Sequence, residues 1–99
     1  MSNMDRIISE EARLVMLREL HLQPDRRLNS ALLQRALELF GITKSRDWLH
    51  EELRWLAEIG AVRVTEISTV RIAELTAKGC DHVERRVVLE GVKRPSPEF

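Results

Sequence analysis

Apolar residues recur at helical spacing in three successive stretches, then alternate, then return to helical spacing. The first stretch runs from about Ser9 to Leu22, with Leu14, Leu17 and Leu20 on one face and Val15 and Met16 widening it. Ser9 is the expected N-cap, Glu10 and Glu11 suit the positive end of the helix, and Gln23-Pro24-Asp25 ends it. A second helix is predicted from Asn29 or Ser30 to Gly41, on a stripe of Leu32, Leu33, Ala36, Leu37 and Phe40. The short turn Ile42-Thr43-Lys44 leads to a third helix, about Arg46 to Ile59, capped by Thr43 or Ser45 and stopped by Gly60. Its apolar face carries Leu49, Leu53 and Leu56 in one row and Trp48, Trp55 and Ile59 in another.

The period then changes to two. Val62, Val64 and Ile67, then Val70 and Ile72 after a turn near Ser68, read as an antiparallel hairpin. No Asn-Gly or Asp-Gly pair sets the turn, so the register stays open. A fourth helix follows Thr76, with Cys80, Val83 and Val87 on one side and Asp81, Glu84 and Arg85 on the other, ending near Gly91. The prolines of Pro95-Ser96-Pro97 exclude regular structure, so the division expected is one domain over residues 1–90 and a flexible tail over 91–99.

Ninety-nine residues suffice for one modest core and not for two. Sixteen basic residues balance sixteen acidic ones, which removes a global basic excess as an argument for nucleic acid. One cysteine excludes an internal disulfide and fits a reducing cytoplasm. The first six residues lack the pattern of a secretory signal, and no stretch reaches the roughly 18 apolar residues of a membrane span.

Two motifs give the order of elements a likeness. Leu53-Arg54-Trp55-Leu56-Ala57-Glu58-Ile59-Gly60-Ala61-Val62 resembles the end of a recognition helix, Leu-x-x-Leu-x-x-x-Gly-x-Val, running into a wing. Ala73-Glu74-Leu75-Thr76-Ala77-Lys78-Gly79 resembles the Leu-Thr-x-x-Gly step from the wing into the last helix. Over roughly residues 10–90 the chain is similar to winged helix-turn-helix proteins of the ArsR and MarR kinds. The stretch from Glu90 to Pro97 resembles small winged-helix proteins of Mu-like prophages. The resemblance implies a mostly helical α+β fold, with a three-helix core, a β-hairpin wing and a C-terminal helix. It also implies a dimeric regulator whose third helix lies in the major groove of double-stranded DNA and whose wing reaches the backbone.

Carried over by position, the candidate DNA contacts are Lys44, Arg46, His50, Arg54, Arg63 and Arg71. Arginines bond guanine in pairs, and carboxylates accept from cytosine. Against this, Asp47, Glu51, Glu52 and Glu58 outweigh Arg46 and Arg54 on the third helix, and a negative surface is repelled by phosphates. That imbalance, with Trp48 and Trp55 one heptad apart, motivates a competing reading as a protein-interaction module. The unbroken Val87-Val88-Leu89 and the broadly apolar first helix suggest a homodimer interface. His21, His50 and His82 are scattered, Cys80 and His82 are two apart and do not face each other, and no phosphate loop is present. No catalytic site, metal site or cofactor is expected.

Overall fold

A computed structural model describes residues 2–97; Met1, Glu98 and Phe99, which belong to the expected domain and tail, lie outside the described residues. Its elements in chain order are α1 (Asn3–His21), β1 (Arg27–Asn29), α2 (Ser30–Leu39), α3 (Arg46–Glu58), β2 (Val62–Ile67), β3 (Val70–Leu75) and α4 (Ala77–Val83). This is the winged helix-turn-helix arrangement. No helix among the described residues is long and apolar enough to cross a membrane.

Helix starts follow from side chains that replace missing backbone partners. Asn29 accepts the Leu32 N–H at 2.8 Å, Ser45 that of Trp48 at 3.0 Å, and Thr76 that of Gly79 at 3.1 Å. α1 begins earlier than the periodicity indicates. Ser2 caps it by accepting the Asp5 N–H at 3.1 Å, while the Asp5 carboxylate reaches back to the Ser2 N–H. Ser9 is therefore not a cap but a buried residue in mid-helix. In α2 the buried stripe is Leu33, Ala36 and Leu37, whereas Leu32 and Phe40 are exposed.

The sheet has three strands in the order β1-β3-β2, all antiparallel. β1, which the spacing of apolar residues does not predict, pairs its Leu28 with Ala73 and places it against the core. Ile67 pairs with Val70, so Ser68 and Thr69 form a two-residue turn, and Ser68 takes a positive φ of 57°. Because side chains alternate along a strand, the helix-facing side of the hairpin carries Val62, Val64, Glu66, Arg71, Ala73 and Leu75. Val70 and Ile72 lie on the opposite side, offset by one residue from the apolar alternation read from sequence.

α4 is shorter than expected. It ends at Val83, and the chain continues irregularly with Leu89 and Val92 buried in the main core. The fully buried His82 organises this stretch. Its Nδ1 accepts the Leu89 N–H at 3.1 Å and its Nε2 lies 2.9 Å from the Lys93 carbonyl, so the neutral Nε2–H tautomer satisfies both. The Arg13 guanidinium donates to the Gly91 carbonyl at 2.8 Å, and the Lys93 N–H donates to the Glu10 carbonyl at 3.2 Å. Packed structure thus runs past the expected boundary at Gly91, as far as Lys93.

Candidate nucleic-acid interface

α3 buries Leu49, Leu53 and Leu56 and turns two other strips toward its neighbours. At 100° per residue, Arg46, His50 and Arg54 follow one another along a single edge, four residues apart. That edge faces the wing, where His50, Arg54 and Ala57 line a shallow cleft with Val64, Glu66 and Arg71. Lys44 lies in the turn before the helix, its ammonium 5.4 Å from the centre of the Trp48 ring.

Each of these groups is positioned by a neighbour. Gln34 of α2 accepts from Arg46 Nε at 2.7 Å and donates to the Lys44 carbonyl at 2.8 Å, so one amide holds two candidate contacts. The His50 Nε2 lies 3.0 Å from the buried Ser30 hydroxyl. Burial, with the nearby Arg71 and Arg46 guanidiniums, lowers the imidazole below its ordinary pKa, which favours the neutral ring at pH 7. Arg71 donates to Glu66 at 2.7 Å across the hairpin. Arg54 pairs with Glu51 at 3.2 Å, and both side chains are well exposed. Such a pair contributes at most about 1 kcal/mol, so Arg54 is available to another partner.

Arg63 does not join this cluster. It lies on the other face of the hairpin, paired with Glu74 at 3.3 Å, because β2 residues 63 and 64 must point to opposite sides. A single basic stripe through Lys44, Arg54, Arg63 and Arg71 is therefore interrupted at Arg63.

The charge balance of α3 also differs from the simple count. Glu52 is largely buried and held by Arg13 Nε at 2.7 Å, so it faces α1 and not solvent. The exposed positions are Arg46, Asp47, Glu51, Arg54 and Glu58, three acids against two bases. Trp55 is half-buried beneath the Arg13 guanidinium, 3.7 Å from the ring centre, and Trp48 is half-buried on the same side. Packing thus accounts for most of both rings. Gln34, Ser30 and Arg13 are not signalled by the sequence, because a supporting partner many residues away leaves no local spacing pattern.

Gp26 of Escherichia phage Mu, an uncharacterized protein, is 37% identical over 91 residues, covering 92% of this chain and 94% of that protein. The chain belongs to the phage Mu gp26 family. No family model matches it. The solved complex structure of hsRosR-S1 superposes with a TM-score of 0.64 at 23% identity, a likeness of fold. The match covers 74% of this chain and 64% of that one, less than two thirds of its length. In this chain the segment packed by His82 runs from Leu89 to Lys93.

Proposed function

We propose that this chain binds double-stranded DNA through the wing-facing edge of α3, as a small dimeric phage-type transcriptional regulator. The observation that carries the reading is the convergence of His50 and Arg54 from α3 with Arg71 from β3 on one cleft, with Arg46 one turn before His50 on the same edge of the helix. In a winged helix this edge faces the major groove and the adjoining backbone. Arg46 and Arg54 contact base edges or phosphates, a neutral His50 contributes a hydrogen bond, and Arg71 anchors the wing. Lys44 adds a phosphate contact at the turn, and Arg63 serves the backbone only from the far side of the wing. Sequestration of Glu52 reduces the repulsion that the helix would otherwise present.

The decisive experiment measures duplex binding at two salt concentrations for the wild type, Arg54→Ala and Arg71→Ala. Arg54→Ala should weaken binding by about 1–3 kcal/mol and relax preference at one base position. Arg71→Ala should weaken all sequences alike and reduce the salt slope by about one. Wild-type affinity in both variants removes this assignment.

The acids Asp47, Glu51 and Glu58 on the outermost face of α3 favour a second reading, a module that docks a basic protein surface. It requires no duplex affinity for the wild type at either salt concentration. Dimerisation draws on some of the apolar side chains left exposed, Met4 and Ile7 of α1 and Val87 and Val88 beyond α4. Leu89 is not among them, being buried in its own chain. Sedimentation as a monomer at micromolar concentration would exclude the dimer.

A further inference from the structure

The last turn of α1 meets the side of α4 at a cluster that plays no part in the α3 cleft. His21 comes from α1, and Cys80 and Glu84 are four residues apart, on one side of α4 and its cap. One donor atom of each residue, an imidazole nitrogen, the thiol sulfur and a carboxylate oxygen, lies within 4.8 Å of both others. The His21 Nε2 and Glu84 Oε2 are already 3.0 Å apart. Tetrahedral zinc, with bonds of about 2.0–2.3 Å, needs donors about 3.5 Å from one another. The donors thus stand within about 1.3 Å of that spacing.

We propose that His21, Cys80 and Glu84 form a three-ligand site for a borderline divalent transition metal of the zinc type, with the fourth position left to water. Sulfur and nitrogen donors select zinc, cobalt or nickel over magnesium and calcium. A thiolate, a carboxylate and a neutral imidazole match the charge of a dication. On binding, the S–H bond breaks, a sulfur–metal bond forms and the thiol proton passes to solvent; the imidazole binds through a nitrogen that carries no proton, so that if Nε2 is the ligand the proton it shares with Glu84 passes through solvent to Nδ1.

The surroundings suit this exchange. Arg86, which pairs with Glu84, also holds Asp81 through two hydrogen bonds of 2.9 and 3.0 Å, so it keeps a partner when Glu84 turns to the metal. Glu84 is exposed and the other two are half-buried, which gives an ion a route in. The single cysteine gives no metal motif by itself; the third ligand lies 59 positions before it and is supplied only by the packing of α1 on α4.

The test is a cobalt(II) titration of the reduced full chain, followed by sulfur-to-cobalt charge-transfer absorption in the near ultraviolet and by the visible bands of tetrahedral cobalt. One ion per chain should bind with both signals and be displaced by zinc but not by magnesium. Cys80→Ser should abolish the charge-transfer band. His21→Gln and Glu84→Gln should each weaken binding by more than about 100-fold, beyond the loss expected for an outer-sphere partner. Zinc should raise the melting temperature of the wild type and of none of the variants. Circular dichroism checks that the surface variants His21→Gln and Glu84→Gln remain folded, so the proposal does not rest on Cys80→Ser alone. A missing thiolate band in the wild type overturns the site, and so does a band unchanged in His21→Gln and Glu84→Gln.

Discussion

A methyl group added at Gly79 would sit 2.3 Å from the Ala61 carbonyl oxygen and 2.7 Å from Leu75 Cδ1. The clash is with backbone, where α4 packs on the start of β2, so Gly79→Ala should cost about 3 kcal/mol. At Gly91 the same methyl would meet the Trp55 ring at 2.6 Å, on a backbone with φ of 88°, and a cost of about 2–3 kcal/mol is expected. Gly41 shares the positive φ but has open space, so Gly41→Ala should lose only about 1 kcal/mol. Denaturant unfolding of the three variants checks the order. His50 adds a prediction in pH. Its folded pKa lies below the ordinary 6.5, so the unfolded chain takes up a proton that the folded chain resists. Its contribution is full above pH 6.5 and is lost as pH falls from there toward the folded value. In His50→Gln that part of the slope should vanish, and an NMR titration of the wild-type ring should show a midpoint under 6.5.

At the scale of elements, α3 was legible because its period, its cap at Ser45 and its stop at Gly60 agree. The one-letter spacing also placed Arg46, His50 and Arg54 together. β1 was not legible, since three residues carry no period. The face of β3 was misread because two apolar sets interleave there: Val70 with Ile72, and Ala73 with Leu75. The choice between them is made by the pairing of Val62 with Leu75 and by the core beneath. For the same reason the sequence could not separate Arg63 from Arg71, although their side chains leave the hairpin on opposite sides. Arg54 and Glu51 form a local pair, and its removal is informative. Glu51→Gln takes away a charge that repels phosphate and releases Arg54, so duplex affinity should rise by about 3- to 10-fold with little change in melting temperature. Fluorescence anisotropy on one duplex at fixed salt checks it.

At the scale of the molecule, the packing joins the two ends of the described chain. α1 lies against α2, α3, β3 and α4, and the stretch from Leu89 to Lys93 closes over it. Ending the chain after Glu90 would remove Val92 from the core, leave His82 without the Lys93 carbonyl and take the Gly91 carbonyl from Arg13, which keeps Glu52. A loss of about 3–5 kcal/mol is expected from the cavity and the unsatisfied groups, read as a lowered denaturation midpoint with the secondary structure retained. His82→Leu should show part of that loss, about 2 kcal/mol, because it keeps volume but pairs neither backbone group.

The Arg13 bond to Gly91 spans 78 residues, and the Lys93 bond to Glu11 spans 82. On the ribosome, α1 is therefore made first and completed last. The partners of the α1 flank beside Trp55 come after every helix and strand in the order of synthesis, so that flank is bare until the stretch from Leu89 to Lys93 is free to reach it. Until then that flank is open to chaperones or to the same flank on another copy of the chain.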